Sequence, residues 1–74
     1  MKRLLRLTYP EELVTEPVIW KVATSHRLVP NIRSAKVTAT AGMVVVEFSG
    51  EPADLEAGLR ALTGLGIRAE ELER

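Results

Sequence analysis

Residues 29–50 read VPNIRSAKVTATAGMVVVEFSG, two stretches of strand-like alternation around a reversal, and the way their phases are reconciled decides the fold. In the second stretch Val44, Val46 and Phe48 share one side and Met43, Val45 and Glu47 the other, the period of a strand with one buried face. In the first, Ala35, Val37 and Ala39 alternate with polar residues, whereas Ile32 falls on the opposite phase. A slip of one residue carries every side chain to the other side of a sheet. Ile32 and Val37 therefore share a side only if the strand is bulged near Arg33-Ser34 or regular pairing starts late. Ala41-Gly42 marks the expected tip, since Gly42 can take the positive φ of a short reversal.

Outward from this hairpin the chain divides into two similar halves. Before it, KRLLRLTYP alternates Leu5, Leu7 and Tyr9 with Leu4, Arg6 and Thr8, a further strand that Pro10 ends. EELVTEP is expected as a loop, with Pro17 in the first turn of a helix and Glu16 as its cap. Ile19, Val22, Ala23 and His26 then follow the spacing of one helix face, widened by Val18, and Pro30 blocks continuation. After the hairpin, Gly50-Glu51-Pro52 repeats the helix start of Thr15-Glu16-Pro17. Leu55, Leu59 and Leu62 give the buried stripe of this second helix, with Gly58 beside them where close helix approach is possible, and Gly64 or Gly66 ends it. A last strand spans Ile67 to Leu72 with Ile67 and Ala69 inward.

The order strand, helix, strand, strand, helix, strand predicts an α+β domain of the ferredoxin-like βαββαβ kind. Its four-stranded antiparallel sheet has the order 4-1-3-2, and right-handed crossovers put both helices on one face. The open face is then expected to carry Leu4, Arg6 and Thr8 beside Met43, Val45 and Glu47, with Lys36, Thr38, Thr40, Arg68 and Glu70 from the outer strands. Leu4, Met43 and Val45 make an apolar island there, a candidate interface.

Composition narrows the function. Seventy-four residues form a single domain, 1–74, whose core is small enough for self-association to help it. Cysteine is absent and there is one histidine, which excludes disulfides, thiolate metal centres and iron–sulfur clusters and leaves no cofactor implied. Ten basic and ten acidic residues cancel, so the field that nucleic acid binding requires is missing. The longest aliphatic run, Met43 to Val46, is far below the roughly 18 residues of a membrane span. The N-terminus has no secretory pattern, and a cytoplasmic location is expected.

No catalytic constellation assembles. Ser25 and His26 are neighbours that do not face each other on a helix, and His26 reads as a helix-end cation or a core-edge residue. Glu11-Glu12 and Glu70-Glu71 read as solvated charge. Gly64-Leu65-Gly66 follows a helix rather than preceding one, so it is no phosphate loop. Trp20, on the border of the helix stripe, reads as a packed shoulder. A non-enzymatic protein is expected. Asn31 stands at the entrance of the irregular strand, where a turn residue after Pro30 is common. It equally brings an amide donor and acceptor to backbone groups left open by the phase break.

The segments TYPEELVTEPVI, PNIRSAKV, GMVVVEFSG and ALTGLGIRAEEL together resemble the NIL domain, over about Leu4 to Leu72. This family stands at the C-terminus of the ATP-binding subunit of methionine import transporters and in small or ferredoxin-fused proteins of sulfur amino acid metabolism. The resemblance implies a ferredoxin-like fold and a regulatory domain pair that binds methionine and inhibits uptake. Its name-giving asparagine and isoleucine fall on Asn31 and Ile32, the asparagine being implicated in holding the ligand. Arg33 replaces the leucine of the third position and offers a guanidinium to a ligand carboxylate. The expectation is a homodimer, joined through its open face or an edge strand. It senses methionine or a related sulfur amino acid at Asn31, Ile32 and Arg33, and its output passes to a sulfur-metabolism enzyme or transporter. The alternative is a ligand-free interaction module.

Overall fold

A computed structural model describes residues 1–72. The elements are β1 (Lys2–Tyr9), a 3-10 turn (Glu11–Leu13), α1 (Val18–Ser25), β2 (Val29–Val37), β3 (Gly42–Ser49), α2 (Pro52–Gly64) and β4 (Arg68–Glu71). The strands form one antiparallel sheet in the order β2-β3-β1-β4, which is the expected 4-1-3-2 read from the other edge. Leu5 and Leu7 of β1 and Val44, Val46 and Phe48 of β3 form the floor of the core. Val18, Val22 and Ala23 of α1 and Leu55 and Leu62 of α2 close it from above.

Both helices end in the same way. At the end of α2, Ile67 N–H donates to Leu62 O at 3.2 Å and Gly66 N–H to Thr63 O at 3.0 Å, with Gly66 at φ +92°. This is a Schellman stop, and the buried Ile67 supplies its hydrophobic contact. At the end of α1, Leu28 N–H donates to Ala23 O at 2.9 Å, and the left-handed position is taken by Arg27 at φ 57°. Leu28, buried by this turn, lies against both glycines of the second half. A Cβ on Gly58 would stand 2.7 Å from Leu28 Cδ1, and one on Gly50 2.7 Å from Leu28 Cδ2. Helix α1 does reach Gly58, through Val22 at 3.5 Å, but the tightest approach is made by Leu28, beyond the end of that helix.

Three local expectations are corrected. The reversal between β2 and β3 is not centred on Ala41-Gly42; Thr38–Ala41 lie between the strands and Gly42 pairs with Val37 as the first residue of β3. Thr38 closes the turn instead: its N–H donates to Ala41 O at 2.7 Å and its hydroxyl accepts from Ala41 N–H at 3.1 Å. Because a side chain supplies the turn's hydrogen bond, Gly42 needs no positive φ. Second, α1 begins one residue later than expected, with Pro17 at the N-cap and no side-chain cap. The Glu16 carboxylate reaches Lys21 Nζ at 3.0 Å. Third, Trp20 is 65% exposed. Within a helix of 8 residues the buried arc is taken by Val18, Val22 and Ala23, and position 20 lies outside it.

Candidate functional site

β2 lies at one edge of the sheet, and all nine of its residues are exposed. Pairing with β3 starts at Val29↔Ser49, so it is not delayed. A bulge between Ile32 and Ser34 leaves Arg33 as the extra residue. Ile32 opposes Val46, while Ala35 and Val37 oppose Val44 and Gly42, so the bulge returns all three to the helix-facing side, as the phase conflict required. They are nevertheless not covered. Ile32 is 55% and Val37 58% exposed, because the core lies under β1 and β3 and the edge strand projects beyond it.

Asn31 opposes Glu47 on the other face, where its amide is exposed. Its neighbour in the row is unusual. Glu47 is only 3% exposed, enclosed between Asn31 on one side and Leu4 on the other. A buried carboxylate requires a partner, and the bulge supplies one: Arg33 Nη2 donates to Glu47 Oε1 at 3.4 Å. The Arg33 side chain is otherwise half-exposed, and among the described residues its fork makes no other hydrogen bond. The structure therefore places Asn31 and Arg33 around one carboxylate on the open face, with Ile32 on the opposite face. The sequence carried one signal of this arrangement, an acid in the open-face phase of a central valine-rich strand with a base at the break opposite it.

The candidate interface residues form a diagonal on the open face. Val45 opposes Arg6, and Met43 opposes Thr8. Leu4 and Val45 are half-buried and Met43 is more open, so the island is smaller than the alternation suggested. Arg6 Nη1 meets Glu70 Oε1 at 3.2 Å, and Arg3 lies 3.5 Å from Glu56 and 3.8 Å from Glu71. The two acids of β4 thus have basic neighbours rather than standing in solvent alone. Tyr9, half-buried beside Gly42, has its phenol pushed above its ordinary value by burial.

Surface depressions among the described residues include two that are not lined by Asn31, Ile32 or Arg33. One, of about 310 Å³, runs along Arg68, Ala69 and Glu70 of β4. The other, of about 360 Å³, lies at the hairpin end among Thr8, Lys36, Thr38, Ala41, Gly42 and Met43. Ser25 ends α1 and His26 caps it, half-buried. Among the described residues no cluster of three or more histidine, aspartate or glutamate side chains is placed to hold a metal. Among the described residues no helix is long and apolar enough to cross a membrane.

Comparison with known proteins gives consistent results. A family model described as the NIL domain matches residues 3–71. Among solved structures, the C-terminal domain of an ABC transporter ATP-binding protein from Enterococcus faecalis superposes with a TM-score of 0.82. It is 18% identical, and the match covers 97% of this chain and 84% of that one. No curated protein sequence matches this one.

Proposed function

This chain belongs to the NIL domain family, and from that membership we propose that it is a non-enzymatic regulatory domain, acting in the cytoplasm, that senses methionine or a related sulfur amino acid. The observation that carries the reading is the entrance of β2. There an exposed Asn31, the outward backbone of an edge strand and the half-exposed Arg33 side chain come together at a bulge. An amino acid needs an acceptor for its ammonium and donors for its carboxylate, and an amide with open strand backbone offers both. Ile32, on the other face of the strand, would flank the thioether only from the edge. The similar fold of a domain attached to a transporter's ATP-binding protein makes a transporter or a sulfur-metabolism enzyme the natural receiver of the signal.

So open a site gives low affinity. A shallow edge site works below the ceiling of about 1.5 kcal/mol per non-hydrogen atom, and at about 0.9 kcal/mol per atom or less a ligand of methionine's size is held at micromolar strength or weaker. Calorimetry against methionine and homocysteine tests the reading. Asn31→Ala should weaken binding by about 1 to 3 kcal/mol with the fold intact. Unchanged affinity rejects the site, and no heat at millimolar ligand rejects the sensor.

A second reading, a homodimerisation module, is favoured by the exposed apolar side chains of β2. An exposed edge strand with apolar side chains can pair with another strand, and Ile32 and Val37 supply them on β2 although the bulge interrupts its edge. β4, the other edge, is by contrast short and charged. In this reading dimerisation uses β2 rather than the Leu4, Met43 and Val45 island. Light scattering should report twice the chain mass, and Ile32→Lys should reduce it more than Val45→Lys. The opposite order moves the interface to the open face, and a monomer at high micromolar concentration removes it.

A further inference from the structure

The depression at the hairpin end is unrelated to Asn31, and its chemistry is distinct. Register places Lys36, Met43, Thr8 and Arg68 in one row across the open face, one residue from each strand. Cations stand at both ends of this row. Among the described residues neither Lys36 nor Arg68 makes an ion pair, and the Thr8 hydroxyl makes no hydrogen bond. Elsewhere on this face Arg6 is matched by Glu70 and Arg33 by Glu47, and Lys2, unpaired among the described residues, stands at the far end of β1. The row therefore carries two unpaired cations, of which Lys36 lines the depression together with Thr8, Thr38, Ala41, Gly42 and Met43, while Arg68 lies beyond Thr8 on β4.

We propose that this depression is a second binding site, for a small carboxylate with a short aliphatic body. Its volume of about 360 Å³ is about 12 times the share of one water in the liquid, room for a short-chain acid with part of its hydration. Lys36 lines the cavity, and its ammonium meets the carboxylate. The Thr8 hydroxyl gives it a hydrogen bond, and Arg68 adds charge from the next strand, about 5 Å further on. The aliphatic body lies on Met43, whose thioether adapts to irregular shapes. Phosphate suits the site less well, since its flanking turn donates both the Thr40 and Ala41 N–H groups to Thr38 Oγ1 and presents no backbone cradle.

An NMR titration of the folded chain with hexanoate tests this assignment. Saturable shifts should centre on the Met43 methyl and the amides of Thr8, Lys36 and Arg68, and hexanol should produce none. Lys36→Ala should weaken hexanoate binding about fivefold, and Lys36→Ala with Arg68→Ala should abolish it. Both side chains are exposed and unpaired, so the amide spectrum of each variant should stay dispersed. Asn31→Ala should leave hexanoate binding unchanged, which separates this site from amino acid sensing at β2. Equal binding of hexanol, shifts centred on Asn31 and Arg33, loss of binding in Asn31→Ala, or no saturation at millimolar hexanoate would each overturn the proposal.

Discussion

Leu28 joins the two halves of the fold, and the coupling it creates with Gly58 can be measured. A Cβ at position 58 would lie 2.7 Å from Leu28 Cδ1 and 3.5 Å from Val22 Cγ1. Carbon contacts are optimal at about 3.5 to 4.0 Å, so the Leu28 methyl must move by about 1 Å. Its escape is restricted, because the other methyl already occupies the notch of Gly50 at 2.7 Å from that residue's would-be Cβ. Overpacking of this kind costs about 1 to 3 kcal/mol, while replacing a helix-interior glycine by alanine returns about 1 kcal/mol. Gly58→Ala alone should therefore be neutral to destabilising by about 2 kcal/mol. Leu28→Ala removes the obstacle and itself costs about 2 to 5 kcal/mol. In that background Gly58→Ala should change sign and stabilise by about 1 kcal/mol, a coupling of about 1 to 3 kcal/mol between the two sites. Urea unfolding of the four proteins, with equal m-values as the control for an unchanged reference state, reads the cycle. Additivity within about 0.5 kcal/mol would refute the argument that Leu28 fills both glycine notches.

Two further outcomes follow from single residues. Arg27 holds the left-handed position that glycine fills at Gly66, so Arg27→Gly should raise the urea midpoint by relieving about 1 kcal/mol of backbone strain; a lower midpoint would show that the Arg27 side chain contributes more than its strain costs. Burial raises the Tyr9 phenol above its ordinary value in the fold, so the folded state holds this proton more tightly than the unfolded chain. The associated stability is complete below pH about 10 and is lost as pH rises through the folded value. Tyr9→Phe should flatten that alkaline decline in a pH series of urea melts, and an identical slope in both proteins would exclude Tyr9 as its source.

What the sequence determined by itself was direction. Alternation in the strands and the spacing of Val22, Leu55 and Leu62 gave each residue a side, the Glu-Pro starts placed both helices, and the clash of phase between Ile32 and Val37 required a break in β2 that the structure contains at Arg33. Periodicity assigns a side chain to a face, however, and says nothing of what covers that face. Ile32 and Val37 point to the helix side yet stay exposed, because the helices lie over β1 and β3. Glu47 points to the open side yet is buried, because Asn31, Leu4 and the guanidinium of Arg33, fourteen residues away, converge on it from two other strands. The hairpin tip and the exposure of Trp20 escaped for related reasons. One turned on a hydroxyl of Thr38 substituting for a glycine conformation, the other on how much of a short helix two strands can bury. Cover is a property of neighbours brought together across the sheet, and only the tertiary structure decided it.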